Sequence, residues 1–174
     1  MTRITIIGCV LLGVATVAMA QNTTTLSVAV NPEAALTVTT GTTNLASLGT
    51  NFTIPFTGTT AFNYQIRTTK TGGSGFITAK VTGDFGPTGG PSVGTPPSTG
   101  DALSYGCTVS APAAACTGSI TASTSTATSV ATFGANATSA KAGNTGSVAW
   151  SLTDDPAYAT GTYTATVTFT ISAT

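Results

Sequence analysis

The sequence predicts an all-β protein, an antiparallel immunoglobulin-like β-sandwich of roughly eight to ten short strands. Short segments with apolar residues at every second position recur along the chain, and glycine and proline turns separate them. Threonine, whose β-branched side chain suits a pleated surface, fills many of the polar positions. No apolar stripe of helical period runs longer than a turn or two, so we expect strands throughout.

The first twenty residues have the pattern of a secretory signal peptide. Arg3 precedes an apolar run, and the run ends in a small-x-small motif at Ala20. We therefore expect residues 1–20 to be removed and residues 21–174 to form one sandwich domain, secreted or held at the cell surface. No second apolar run approaches the ~20 residues of a spanning helix, so no membrane span is expected in the mature chain.

Charged and catalytic residue types are scarce. The chain has five Lys and Arg, five Asp and Glu, and no histidine. Without a basic stripe, nucleic acid is not an expected partner. Without histidine, the usual general base is missing, and no G-x-S-x-G elbow supplies a nucleophile. We predict that the protein is not an enzyme, and we assign no catalytic residue and no cofactor.

The expected elements follow one another in order. The first strand-like segment is 24–30, where Leu26, Val28 and Val30 share one face before Asn31-Pro32 breaks the pattern. Segments 62–67 and 76–81 flank a GGSG turn and suggest a hairpin. The other expected strands are 35–40, 52–58 (an edge strand because of Pro55), 102–110, 116–123, 129–134 and 146–152. Residues 83–100 carry so much glycine and proline that we expect a long loop.

The final segment is the most regular strand signal in the chain. Tyr163, Val167, Phe169 and Ile171 alternate with threonines in GTYTATVTFTISAT. This is the period of a strand that buries one face, so those four residues are the predicted core of a closing strand.

The cysteines indicate an oxidising compartment. Cys107 and Cys116 flank TVSAPAAA, which looks like a turn between short strands, and in an exported chain we expect them to form a disulfide. Cys9 lies within the signal segment; a lipoprotein cleavage site there is the alternative, although most of the apolar run follows Cys9 instead of preceding it. No metal site is predicted from the cysteines, because two thiolates do not complete a tetrahedral shell.

Two further groups carry competing interpretations. Asp154 and Asp155 precede Pro156 and fit a turn, with a calcium ligand pair as the weaker alternative. Trp150 shares its parity with apolar neighbours and fits a core position, with a sugar-stacking platform as the alternative.

The ending GTYTATVTFTIS resembles the C-terminal strand of spore coat protein U-like domains and archaic chaperone-usher pilins. Trp150-Ser151-Leu152, followed by TDDP, is more weakly similar to WxL cell-surface domains. These resemblances imply an exported structural subunit of a coat, fibre or pilus-like assembly, with self-assembly or a pilus-type chaperone and usher as partners. The alternative is a carbohydrate- or cell-wall-binding module whose partner is a surface polysaccharide.

The resemblance also gives the segment before Pro32 a role. Leu26, Val28 and Val30 form a possible donor strand that could insert into another copy of the chain. The competing expectation is that the domain has enough strands of its own to complete the sandwich.

Overall fold

The computed structural model describes residues 22–174, which form two antiparallel sheets packed face to face. The nine strands are β1 (Glu33–Val38), β2 (Phe56–Arg67), β3 (Gly75–Gly86), β4 (Leu103–Val109), β5 (Ala114–Ala115), β6 (Ile120–Thr121), β7 (Thr128–Phe133), β8 (Asn144–Leu152) and β9 (Thr164–Ala173). The described residues contain no helix. The prediction of an all-β sandwich with eight to ten strands is therefore confirmed. The predicted signal peptide lies outside the described residues.

The two sheets have five and four strands. Sheet A has the order β1-β2-β8-β4-β6, and sheet B has the order β5-β7-β3-β9. Large buried side chains fill the space between them, and these are Phe62, Tyr64, Ile77, Val81, Tyr105, Val130 and Val148. Alternation along each strand thus sends one parity into a shared core, as the sequence pattern predicts.

The expected hairpin between segments 62–67 and 76–81 is wrong. β2 belongs to sheet A and β3 belongs to sheet B, so the GGSG turn crosses from one sheet to the other. β2 also begins at Phe56, so the last three residues of the expected strand 52–58 and all of 62–67 belong to one strand of twelve residues. Both segments bury one face in the same core, so their alternation fits either arrangement equally well.

The glycine- and proline-rich segment starts later than expected, because β3 continues to Gly86 and pairs with β9 along that length. Asp84 then anchors the following loop. Its carboxylate accepts hydrogen bonds from the hydroxyl of Ser92 at 2.6 Å and from the amides of Val93 at 2.7 Å and Gly94 at 3.0 Å. Burial raises the pKa of Asp84, but these bonds and one from the Phe85 amide outweigh it and hold the pKa below its usual range.

Candidate functional site

β9 is an edge strand with a half-covered apolar face. It pairs only with β3, and its inward residues Val167, Phe169 and Ile171 are all half-buried. Their partners on β3 are more deeply buried. Val81 lies opposite Val167, Ile77 lies opposite Ile171, and Val81 and Ile77 are both fully buried. The predicted inward face of the closing strand therefore exists, but the described residues leave its outer side open.

The uncovered side of β9 borders an open groove of about 1020 Å³ between the two sheets. Sheet A contributes Phe56, Trp150 and Leu152 to the lining, and sheet B contributes Val167 and Phe169. We call this space the open groove. Its lining is apolar where the two sheets face each other, which is the chemistry that receives apolar side chains.

Packed aromatic rings and a short series of side-chain hydrogen bonds form the floor of the open groove. Trp150 packs edge-on against Tyr105, with ring centroids 5.1 Å apart, and lies 6.5 Å from the ring of Phe169. Its indole N–H donates to the hydroxyl of Thr60 at 2.8 Å, and that hydroxyl lies 2.6 Å from the hydroxyl of Thr43. The core position predicted for Trp150 is confirmed, because its side chain is buried and its polar atom is satisfied.

One wall of the open groove is the segment between β1 and β2. β1 pairs with residues 62–67 of β2 and stops at Val38, so the first half of β2 has β8 on one side and no described strand on the other. Ala46 takes up part of this edge, since its amide and carbonyl both bond to Thr57 at 2.9 Å. The open groove therefore begins where β1 ends.

The turn between β8 and β9 forms the far rim and holds the carboxylates singled out in the sequence. Asp154, Asp155 and Tyr158 all line the groove there. The Tyr158 hydroxyl donates to Asp101 at 3.1 Å. Burial, followed by the nearby charge of Asp101, raises the pKa of Tyr158 well above its ordinary value. The phenol therefore stays protonated and keeps the rim attached to Asp101, two residues before β4.

The rim does not gather a metal-ligand set. The amide of Ala157 donates to Asp155 at 2.6 Å, and this hydrogen bond holds the pKa of that carboxyl below its usual range. This is the turn geometry expected for Asp154 and Asp155. Across residues 22–174, no three His, Cys, Asp or Glu side chains come together in a way that could hold a metal ion. Calcium binding at this pair stays the untested, weaker alternative to the turn.

The possible donor strand is present as an exposed segment outside both sheets. Leu26, Val28 and Val30 are 91%, 85% and 63% exposed. The segment is fixed only near its end, where the side chain of Arg67 donates to the carbonyl of Asn31 at 2.8 Å. Three alternate apolar side chains therefore project into solvent from a segment that pairs with no strand among residues 22–174.

The predicted disulfide joins Cys107 of β4 to Cys116, just after β5. It links sheet A to sheet B on the side of the sandwich away from β1 and β9. Tyr163 was predicted as part of the closing core; instead it precedes β9, lines the open groove and donates its hydroxyl to the carbonyl of Ala159 at 2.7 Å. The groove itself has no sequence signal, because it depends on where β1 stops.

Comparison with known proteins assigns no family. No family profile, curated protein or solved structure matches the chain. In residues 22–174 there is also no helix of the length and apolarity that crossing a membrane would need.

Proposed function

We propose that the protein is a secreted cell-surface structural subunit whose copies assemble when the segment 22–31 of one copy inserts into the open groove of another. The observation that carries the proposal is the joint presence of an uncovered apolar groove and an exposed apolar strand in one chain. Inserted beside β9, the segment would bond to the free edge of that strand and place three side chains between the sheets. Their burial is worth about 4–9 kcal/mol before the cost of ordering and association.

The position of the segment favours insertion into a second copy over its own domain. The segment is attached at Asn31, next to the Glu33–Arg67 end of the β1–β2 pairing. The groove begins at the other end of β1, at Val38. The six residues of β1 span roughly 20 Å at ~3.3 Å per residue. If the segment folded back along β1, its apolar residues would lie beside β1 itself, and only residues before Leu26 would reach the groove.

β1 and β9 also contact each other, which restricts the space for such a fold-back. The residues that would reach the groove, 22–25, are Asn-Thr-Thr-Thr and offer no apolar side chain. Insertion in trans has neither problem, because the incoming segment is not tied to the β1 end. Head-to-tail insertion between identical copies does not close on itself unless the rotation happens to form a ring, so it produces fibres.

The rival function, a carbohydrate-binding module, gains no support from Trp150. A sugar-stacking ring must be exposed, but the Trp150 ring is buried and its indole N–H is bonded to Thr60. A pilus-type chaperone fits the proposal better, since the groove would need a temporary cover before assembly. Genes for a chaperone and an usher beside this one would support that extension.

The test removes residues 21–30 from the secreted protein and follows assembly by sedimentation and electron microscopy. We expect the full mature chain to polymerise, the truncated chain to stay monomeric, and a synthetic 21–32 peptide to bind the truncated chain. Trp150 is the only tryptophan and lies on the groove floor, so its fluorescence reports binding directly.

The matched control is the same peptide with Leu26, Val28 and Val30 replaced by serine, which keeps its length and its backbone bonding groups. It should bind far more weakly. Equal binding of both peptides, or a truncated chain that neither changes its assembly nor binds the 21–32 peptide, contradicts the proposed function.

A further inference from the structure

The segment between β1 and β2 ends in a loop, residues 47–54, that carries two exposed apolar side chains. We call this loop the tip. Leu48 is 89% exposed and Phe52 is 60% exposed. The tip is held by its own contacts: the amide of Gly49 donates to Ser47, and a Cβ on Gly49 would overlap the side chain of Ile54. The two apolar side chains thus project from a packed loop, where solvation alone would favour polar residues.

This tip lies at the mouth of the open groove. Leu45 on one flank packs against the core and lines the groove, and Ala46 is bonded to β2. On the other flank, Phe52 also lines the groove. Phe52 therefore connects the exposed tip, which also carries Leu48, to the apolar surface that receives the inserted strand.

The direction of insertion places a second molecule beside the tip. β1 and β9 contact each other at one end of the groove. A segment that enters with its free end towards this contact has its attached end at the mouth. The inserted segment is attached to its own domain at Asn31 and Arg67. The domain of the donating copy consequently stands against the loop tip.

We infer that Leu48 and Phe52 form a second contact between copies, packing against the domain that donates the strand near its Asn31 end. This inference rests on the proposed function. The occupant is a second copy of this chain, because strand insertion brings the Asn31 end of the donating domain to the groove mouth. Leu48 lies outside the groove lining, so its part of this contact stabilises the fibre without filling the groove.

The experiment compares Leu48→Ser in the full mature chain with Phe76→Ser. Phe76 is also exposed but lies on the outer face of β3, so it controls for the loss of an exposed apolar side chain. We expect Leu48→Ser to raise the concentration needed for polymerisation on the order of tenfold, the ratio that one lost apolar contact between copies produces. Phe76→Ser should leave it unchanged, and both variants should keep the melting temperature of the wild-type monomer.

Peptide binding distinguishes strand insertion from the second contact between copies. In the chain that lacks residues 21–30, Leu48→Ser should bind the 21–32 peptide as wild type does, because the peptide brings no domain with it. Unchanged polymerisation, or loss of peptide binding in this variant, overturns the second contact while leaving strand insertion intact. Failure of the peptide to bind the wild-type truncated chain overturns strand insertion, and the second contact with it.

Discussion

The two long sides of the sandwich are covered in different ways. On the side of β5 and β6, the Cys107–Cys116 disulfide joins the sheets, and the Tyr105 hydroxyl crosses from β4 to bond Thr128 at 2.7 Å. On the side of β1 and β9, the sheets separate beyond Val38 and leave the open groove. The first side is closed by covalent and polar links within one chain, whereas the second has an apolar interior that a strand could still fill.

A strand can have an unbroken apolar face in the sequence, and that face can still be partly exposed in the folded domain. β3 and β9 present matching inward residues, yet those of β3 are buried and those of β9 are half-exposed. The difference comes from position, since β3 has a strand on each side and β9 has one. Residues of the same type should therefore contribute differently to stability on the two strands.

The largest expected effect is an acid placed on β3. Val81→Asp buries a carboxylate without a partner and should cost more than about 4 kcal/mol, enough to unfold the domain. Val167→Asp, directly opposite on β9, points its carboxylate into the groove and should cost only about 1–3 kcal/mol. Urea unfolding followed by circular dichroism measures both. Equal losses would show that the groove is closed in solution.

Loss of the disulfide should come next. Replacing Cys107 and Cys116 with alanine opens a loop of sequence separation 9 and should lower the free energy of unfolding by about 2–3 kcal/mol. Binding of the 21–32 peptide to the truncated protein should not change, because the disulfide is on the opposite side. Calorimetry and Trp150 fluorescence test the two halves of this prediction. A parallel loss of peptide binding would mean that the two sides are coupled.

Removing the Trp150–Thr60 hydrogen bond under the groove should lower the free energy of unfolding by a smaller amount. Thr60→Val removes the acceptor of the Trp150 indole N–H and leaves that buried donor unpaired, at a cost of about 1–2 kcal/mol. Thr60→Ser keeps the hydroxyl and should stay close to wild type. Denaturant titration distinguishes them. If valine were as stable as serine, the hydrogen bond would contribute nothing to holding the floor.

The smallest effect concerns pH and the loop after β3. Because folding lowers the pKa of Asp84, the carboxylate stabilises the folded state above its unfolded pKa of roughly 4. That contribution is lost as the pH falls through the lower folded value. The difference in melting temperature between wild type and Asp84→Asn should therefore shrink below about pH 4. A difference that stays constant with pH would assign the loop's stability to its backbone contacts instead.

Much of the architecture could be predicted from local pattern. Alternation in β9 and the parity of Trp150 each identified a face that the structure places inward, and the spacing of Cys107 and Cys116 identified their pairing. The hairpin of 62–67 and 76–81 could not be judged this way, because two strands that share a core alternate identically whether or not they share a sheet.

The sequence by itself determined which side of each strand is apolar, because side-chain direction along a strand has a fixed period of two residues. It also determined that Leu26, Val28 and Val30 could pair as a strand. Only the tertiary structure decided which of these faces lack a cover, since that depends on β1 ending at Val38 while β9 continues past it as an edge. Coverage is a relation between segments far apart in the chain, and no local period encodes it.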